Sequence, residues 1–184
     1  MNNIEHRAEA IADSMMESEL RWDNIEPELD TDLQLEALKG VKGVIAVVRG
    51  EVGENFEEFE ERQLQIAGVT HRIMERIRAK RDNLPINAFG LARELATDSV
   101  AREEIAAIKD DETRALLLHH FAELVYGVVL SFDFDNDAIE KWGWYDREES
   151  ELDVEVMELA LNKLQARFLR IYNNSLTFQK DKNG

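Results

Sequence analysis

Apolar residues recur along most of this chain at intervals of three and four, the spacing that gathers side chains on one face of an α-helix. The first run sets Ile4, Ala8, Ile11, Met15 and Trp22 along one stripe. It predicts a helix that starts with Asn2 or Asn3 as N-cap and stops before Glu26-Pro27, because the residue preceding a proline avoids helical dihedrals. From Asn55, the run Phe56, Phe59, Ile66, Ile73 and Ile77 predicts the longest helix, closing near Asp82-Asn83-Leu84-Pro85. A shorter helix is predicted over Asn87 to Thr97 and another after Asp98-Ser99, a pair with good N-cap chemistry. Asp110 and Asp111 then cap a segment whose Leu116, Leu117, Leu118, Phe121, Leu124, Val125, Val128 and Val129 cover most of its circumference. A helix apolar nearly all round belongs at the centre of its bundle. The last helix is predicted from Ser150 to Tyr172, with Val154, Met157, Leu161, Leu164, Phe168 and Ile171 as its seam.

One segment reads two ways. Leu38, Val41, Ile45, Val48 and Val52 keep helical spacing, whereas Val44-Ile45-Ala46-Val47-Val48 between Gly43 and Gly50 also suits a buried strand. Helix is the preferred reading, since a lone strand has no partner for its main-chain hydrogen bonds. The alternative is a short β-hairpin around residues 43–53. Two prolines in 184 residues and few turn clusters point the same way as the helical spacing. The expected fold is all-α, a compact bundle of about six to seven helices in a single domain over residues 1–179, with a disordered tail at 180–184.

Charge adds what the pattern cannot. Thirty-nine acidic residues against twenty-two basic ones leave a net charge of −17. A surplus of this size favours encounter with basic protein surfaces and repels nucleic acid and anionic lipid. It is unevenly placed: residues 1–62 hold seventeen acids and six bases, while residues 63–83 hold two acids and five bases. The absence of cysteine excludes a disulfide framework and thiolate chemistry and fits a reducing compartment. Met1-Asn2-Asn3-Ile4-Glu5-His6 lacks the basic start and apolar run of a signal peptide, and the longest apolar stretch, Val44 to Val48, is too short to span a bilayer. A cytoplasmic location is expected.

The acids fall into two candidate binding surfaces. Glu5, Glu9, Asp13 and Glu17, followed by Glu19, line the polar side of the first helix. Glu54, Glu57, Glu58 and Glu61 stand at i, i+3, i+4 and i+7 and share one helix face. Clustered carboxylates can also hold a hard cation such as Mg²⁺. Glu57, Glu58 and Glu61 spell EExxE, which resembles the first metal-binding motif of the all-α NTP pyrophosphohydrolases, the family of MazG-like enzymes and dimeric dUTPases. That resemblance implies Mg²⁺-dependent cleavage of nucleoside triphosphates, with these three glutamates as ligands and further acids from a partner helix. The family's ExxD motif has no counterpart at the expected distance. Glu123 in Phe121-Ala122-Glu123-Leu124-Val125-Tyr126 is the nearest substitute, with Tyr126 where the aspartate belongs, and Glu94 and Asp98 lie closer in the chain.

Other constellations are incomplete. Asp133, Asp135 and Asp137 match the start of an EF-hand loop, but Ala138 replaces the glycine and Trp144 the bidentate glutamate. His119, His120 and Glu123 share one helix without a third ligand for zinc, so a core or boundary pair is the expected use. Arg72, Arg76, Arg78, Lys80 and Arg81 form the one basic cluster. Against a −17 background they are expected to serve the helix C-terminus and neighbouring acids rather than phosphates. The sequence therefore predicts an acidic, all-helical interaction protein without cofactor that binds a basic surface of a partner, by compositional analogy an inhibitor of phage or mobile-element type that mimics nucleic acid. The alternative is the Mg²⁺ enzyme, and a homodimer through the last helix is a further option.

Overall fold

The computed structural model describes residues 3–30, 56–132 and 150–183. The segment at 38–53, with its helix and hairpin alternatives, and the acidic aromatic connector at 133–145 lie outside these residues. Seven helices and no strand make up the described part: α1 (Asn3–Glu17), α2 (Trp22–Leu29), α3 (Phe56–Lys80), α4 (Ala88–Thr97), α5 (Ser99–Ala106), α6 (Asp111–Phe132) and α7 (Ser150–Asn183). The all-α bundle expected from the spacing is therefore found.

The predicted first helix is two helices. α1 ends at Glu17, and Leu20 leaves the helical path to pair with Ile86, its N–H donating to the Ile86 carbonyl at 2.7 Å and its carbonyl accepting from Ile86 N–H at 3.1 Å. This bridge ties the α1–α2 connection to the α3–α4 turn. Trp22 restarts the helix, and its indole N–H donates to the Leu84 carbonyl at 2.9 Å. Pro27 then lies inside α2 rather than beyond its end. In so short a helix its missing N–H forfeits one bond, and α2 stops two residues later.

Capping follows the sequence closely. Asn87 Oδ1 accepts from Gly90 N–H at 2.9 Å, Asp98 Oδ2 from Ala101 N–H at 2.9 Å, and Asp110 Oδ2 from Thr113 N–H at 3.1 Å, opening α4, α5 and α6. α3 closes through Asp82 and Asn83, both left-handed at φ 55° and 60°, a region that aspartate and asparagine enter more readily than most residues. Asn83 N–H reaches back to the Arg78 carbonyl at 3.0 Å, as in a Schellman closure. At Gly90 a Cβ would stand 2.9 Å from Ile86 Cγ1, so glycine is what lets α4 start against the Leu20–Ile86 bridge.

α6 touches α1, α2, α3 and α7, which is the central position its apolar circumference predicts. α7 packs against α1, α4 and α6. The α6–α7 pair is antiparallel: Tyr126 Oη donates to the Met157 carbonyl at 3.3 Å, and Gln165 Nε2 to Glu123 Oε1 at 3.5 Å. Buried alanines on α1 (Ala8, Ala12), α4 (Ala88, Ala92, Ala96) and α7 (Ala160) keep facing surfaces flat enough for close approach.

The α7 seam needs correction. The buried row is Val156, Ala160, Leu164, Phe168 and Tyr172, while Val154 is 60% exposed and Met157, Leu161 and Ile171 are only half-buried. Alternating threes and fours describe a 3.5-residue repeat, whereas this helix buries an i, i+4 row of the kind that packs into a neighbour's groove. The two patterns coincide at Leu164 and Phe168 and part toward the N-terminal end. α7 also runs past Tyr172 to Asn183, so residues 180–183 are helical and not a frayed tail. No glycine or proline interrupts that stretch, Leu176 packs against the core, and Lys180 and Lys182 suit the negative end of the helix dipole.

Candidate functional site

Each member of the basic cluster on α3 has an intramolecular partner. Arg72 grips Glu104 of α5 with two bonds, Nε to Oε1 at 3.2 Å and Nη2 to Oε2 at 3.1 Å. Arg76 Nε donates to Asp98 Oδ2 at 2.9 Å, Arg78 bonds Glu26 of α2, and Lys80 Nζ reaches Glu94 at 3.1 Å and Asp98 at 3.5 Å. Arg81 Nη2 donates to the Pro85 carbonyl at 2.7 Å. The cluster thus fastens α3 to α2 and to the α4–α5 corner, as a helix C-terminal set of cations was expected to do.

Asp98 is the centre of this network and the one acid buried with it, 4% exposed. Burial alone would raise its carboxyl. The hydrogen bonds from Arg76 and Ala101 N–H, with the charges of Arg76 and Lys80, outweigh burial and hold it below the ordinary aspartate value of 3.8. Glu94 completes the set by pairing with Lys80.

The acids of α1 divide. Glu9 is half-buried and bonds Lys163 at 2.7 Å and Arg167, both on α7, and Asp13 pairs with Arg167 at 2.8 Å. The Lys163 hydrogen bond, ahead of the charges of Arg167 and Lys163, lowers the Glu9 carboxyl from its ordinary 4.5. These two predicted contact residues hold α1 to α7. Glu5 and Glu17 are exposed. On the second predicted surface Glu58 and Glu61 are exposed, Glu57 falls on the first turn of α3, and Glu54 lies outside the described residues.

Glu123, the substitute metal ligand, is not brought to that surface. Arg62, next to Glu61, meets Glu112 of α6 at 3.5 Å, and Glu123 lies three turns further along α6, about 16 Å at 1.5 Å per residue. Glu61 and Glu123 therefore cannot share a cation whose ligands must come within about 2.1 Å. Glu94 and Asp98 are already occupied by Lys80 and Arg76. Among the described residues no group of three or more His, Cys, Asp or Glu is placed to hold a metal ion.

His120, rather than His119, faces Glu123, its Nδ1 4.0 Å from Oε2. Its Nε2 is shielded from solvent and has no hydrogen-bond partner. Burial lowers the imidazole below its ordinary 6.5, with Glu123 opposing only in part. A histidine held neutral in the fold takes up its proton more readily when unfolded, so stability falls as pH drops below 6.5. Melting temperature is expected to decline between about pH 7.5 and 5.5, and His120→Leu is expected to flatten that decline in matched thermal scans. Tyr126, six residues further along α6, is pushed up to about 12 by burial and stays protonated throughout.

A groove that no sequence signal marks lies between the end of α1 and the α3–α4 turn. Its volume is about 340 Å³, and Glu17, Glu19, Arg81, Pro85, Ile86, Asn87 and Gly90 line it. The Leu20–Ile86 bridge creates it by drawing together segments far apart in the chain. No helix among the described residues is long and apolar enough to cross a membrane. No family model matches the chain, and neither a curated protein nor a solved structure matches it.

Proposed function

We propose that this protein is an acidic helical module that binds a basic surface of another protein. The observation that carries the reading is the internal use of the α3 bases. Arg72, Arg76, Arg78 and Lys80 are paired with acids of α2, α4 and α5, and Arg81 with main-chain carbonyls. The single concentration of positive charge noted in the sequence is thereby spent on holding helices together. Acids such as Glu17, Asp23, Glu58, Glu61, Glu103, Glu155 and Glu158 are left on the surface of a chain with net charge −17. An outward field of one sign steers basic partners and repels polyanions.

Contact is expected on the exposed face of Glu58 and Glu61 and at the exposed acids Glu5 and Glu17 of α1, whereas Glu9 and Asp13 serve the α1–α7 joint. A surface that offers carboxylates in place of phosphates could occupy a nucleic-acid-binding cleft, which is the form of partner the reading favours. The test is affinity capture from a lysate at low salt, followed by mass spectrometry, with Glu58→Lys/Glu61→Lys in parallel. Basic proteins retained by the native chain and lost both at high salt and in the variant are the expected result. An identical set of captured proteins on the two baits would remove the reading.

A further inference from the structure

The seam that the sequence offers for pairing α7 with another helix is taken up inside the bundle, where Leu164 and Phe168 are fully buried. The opposite side of α7 has a register of its own. Glu155, Leu159, Asn162, Ala166, Leu169 and Asn173 follow one another at intervals of four and three residues, and the same spacing reaches Lys180 two steps later. Alternating threes and fours make the 3.5-residue repeat by which two helices stay in contact along their length. Leu159 and Leu169 are half-buried and the rest of the stripe is exposed, while α1, α4 and α6 pack on the other side of the helix.

Charge along this side runs from acid to base. Glu155 and Glu158 stand toward its N-terminal end and Arg170 and Lys180 toward its C-terminal end, all four exposed, with Asn162, Ala166 and Leu169 uncharged between them. Lys163 and Arg167, the neighbouring bases of α7, are held by Glu9 and Asp13. Among the described residues none of the four exposed charges is engaged in an ion pair.

We infer that this side of α7 is a self-complementary interface on which a second copy of the chain docks antiparallel, with the two-fold axis passing near Ala166. A two-fold interface brings the same patch of both copies together, so each contact occurs twice. Antiparallel docking sets Glu155 and Glu158 of each copy against Lys180 and Arg170 of the other and opposes the two helix dipoles. Parallel docking would set acid on acid and base on base. The small side chain at Ala166 lets the helix axes approach closely at the crossing, and Leu159 and Leu169 supply apolar cover on either side. From residue 155 to residue 180 the contact runs about 38 Å at 1.5 Å per residue. The net charge of −17 on each copy opposes association over long distances, but at about 0.15 M salt that repulsion is screened beyond about 8 Å while the contacts of the seam persist. The interface takes no residue from α3, so it can fail without touching the reading of Glu58 and Glu61.

Sedimentation equilibrium of the full chain at about 0.15 M salt is expected to give twice the chain mass. Glu155→Lys/Glu158→Lys and Arg170→Glu/Lys180→Glu are each expected to weaken self-association at least about tenfold, because each sets like charges together at both ends, and the four substitutions combined are expected to restore it. The chain has no cysteine, so single thiols report the orientation. Ala166→Cys is expected to form a disulfide-linked dimer under mild oxidation, since two copies of residue 166 meet at the axis. Glu155→Cys is expected to stay unlinked, because eleven residues on either side of the axis separate its two copies by about 33 Å, far beyond the roughly 7 Å that a disulfide allows. All of these positions are exposed, and unchanged melting temperatures would show that the fold is kept. A native chain that stays monomeric at high micromolar concentration overturns the inference. So does a failure of Ala166→Cys to link, linking of Glu155→Cys as fast as Ala166→Cys, or a fourfold variant that associates no better than either double variant.

Discussion

Phe168→Ala is expected to cost about 3–5 kcal/mol of stability, the usual penalty for emptying a fully buried aromatic site. Phe168 has no exposed surface and sits on the row of α7 that faces the core, with Leu164 one turn before it and Tyr172 one turn after. α7 is the helix that α1, α4 and α6 all pack upon, so neighbouring side chains have little freedom to collapse into the void. A companion pair of substitutions tests the face itself. Val156→Asp places a carboxylate where the valine is wholly buried and is expected to cost at least about 3 kcal/mol. Val154→Asp, at a site 60% exposed, is expected to stay within about 0.5 kcal/mol of the native protein. Urea unfolding followed by circular dichroism measures all three. Equal losses at positions 154 and 156 would restore the 3.5-residue seam and contradict the observed packing.

Asp98→Ala is expected to cost about 2–4 kcal/mol. The substitution removes the α5 N-cap, worth about 1 kcal/mol, and charge-assisted bonds to Arg76 and Lys80, worth about 1.5–3 kcal/mol together when one side of the pair is exposed. Arg76 and Lys80 are nearly half exposed and regain water, which keeps the loss below that of a fully buried pair. Asp98→Asn distinguishes the two contributions. Asparagine caps a helix as well as aspartate, so the Ala101 bond survives while the ionic part is lost, and a penalty of about 1.5–3 kcal/mol is expected. The pH dependence has a definite sign. A carboxyl lowered in the fold stabilises the protein fully above its unfolded value of 3.8 and loses that contribution as pH falls through the lower, folded value. The native chain should therefore be more sensitive to acid below about pH 4 than Asp98→Asn. Parallel acid sensitivity in the two proteins would show that Asp98 acts as a cap alone.

Much of the bundle was legible because its determinants are local. Asn87, Asp98 and Asp110 announce helix starts by chemistry confined to the next three residues, and Asp82-Asn83 announce an end by their tolerance of left-handed dihedrals. The apolar girth of α6 likewise foretold its central position, which its packing against α1, α2, α3 and α7 bears out. What escaped depends on contacts between distant segments. Nothing near Leu20 says that its main chain will pair with Ile86, yet that bridge splits the predicted first helix and opens the groove. The row buried on α7 is chosen by the surfaces of α1, α4 and α6 rather than by its own spacing, and Leu164 and Phe168 satisfy both patterns.

The candidate sites show the same division. The expectation that Arg72 to Arg81 would serve acids and the helix terminus could be formed from net charge and helix polarity, and the partners named by the structure agree with it. Glu9 could not be told from Glu5 or Glu17 on the helix, since all three share its polar side; Lys163 and Arg167, some 150 residues away, make the distinction. Glu123 matched a motif in type but stands on a part of α6 remote from Glu61, which spacing along the chain could not reveal.

The central claim, that the outward acids bind a basic partner, is tested most directly by measuring the dissociation constant of the captured complex against salt, with native protein and with Glu58→Lys/Glu61→Lys. Affinity is expected to fall steadily as salt rises and to be at least about tenfold weaker in the variant at low salt, while the melting temperatures of the two proteins agree. An affinity insensitive both to salt and to reversal of these two exposed acids would contradict it.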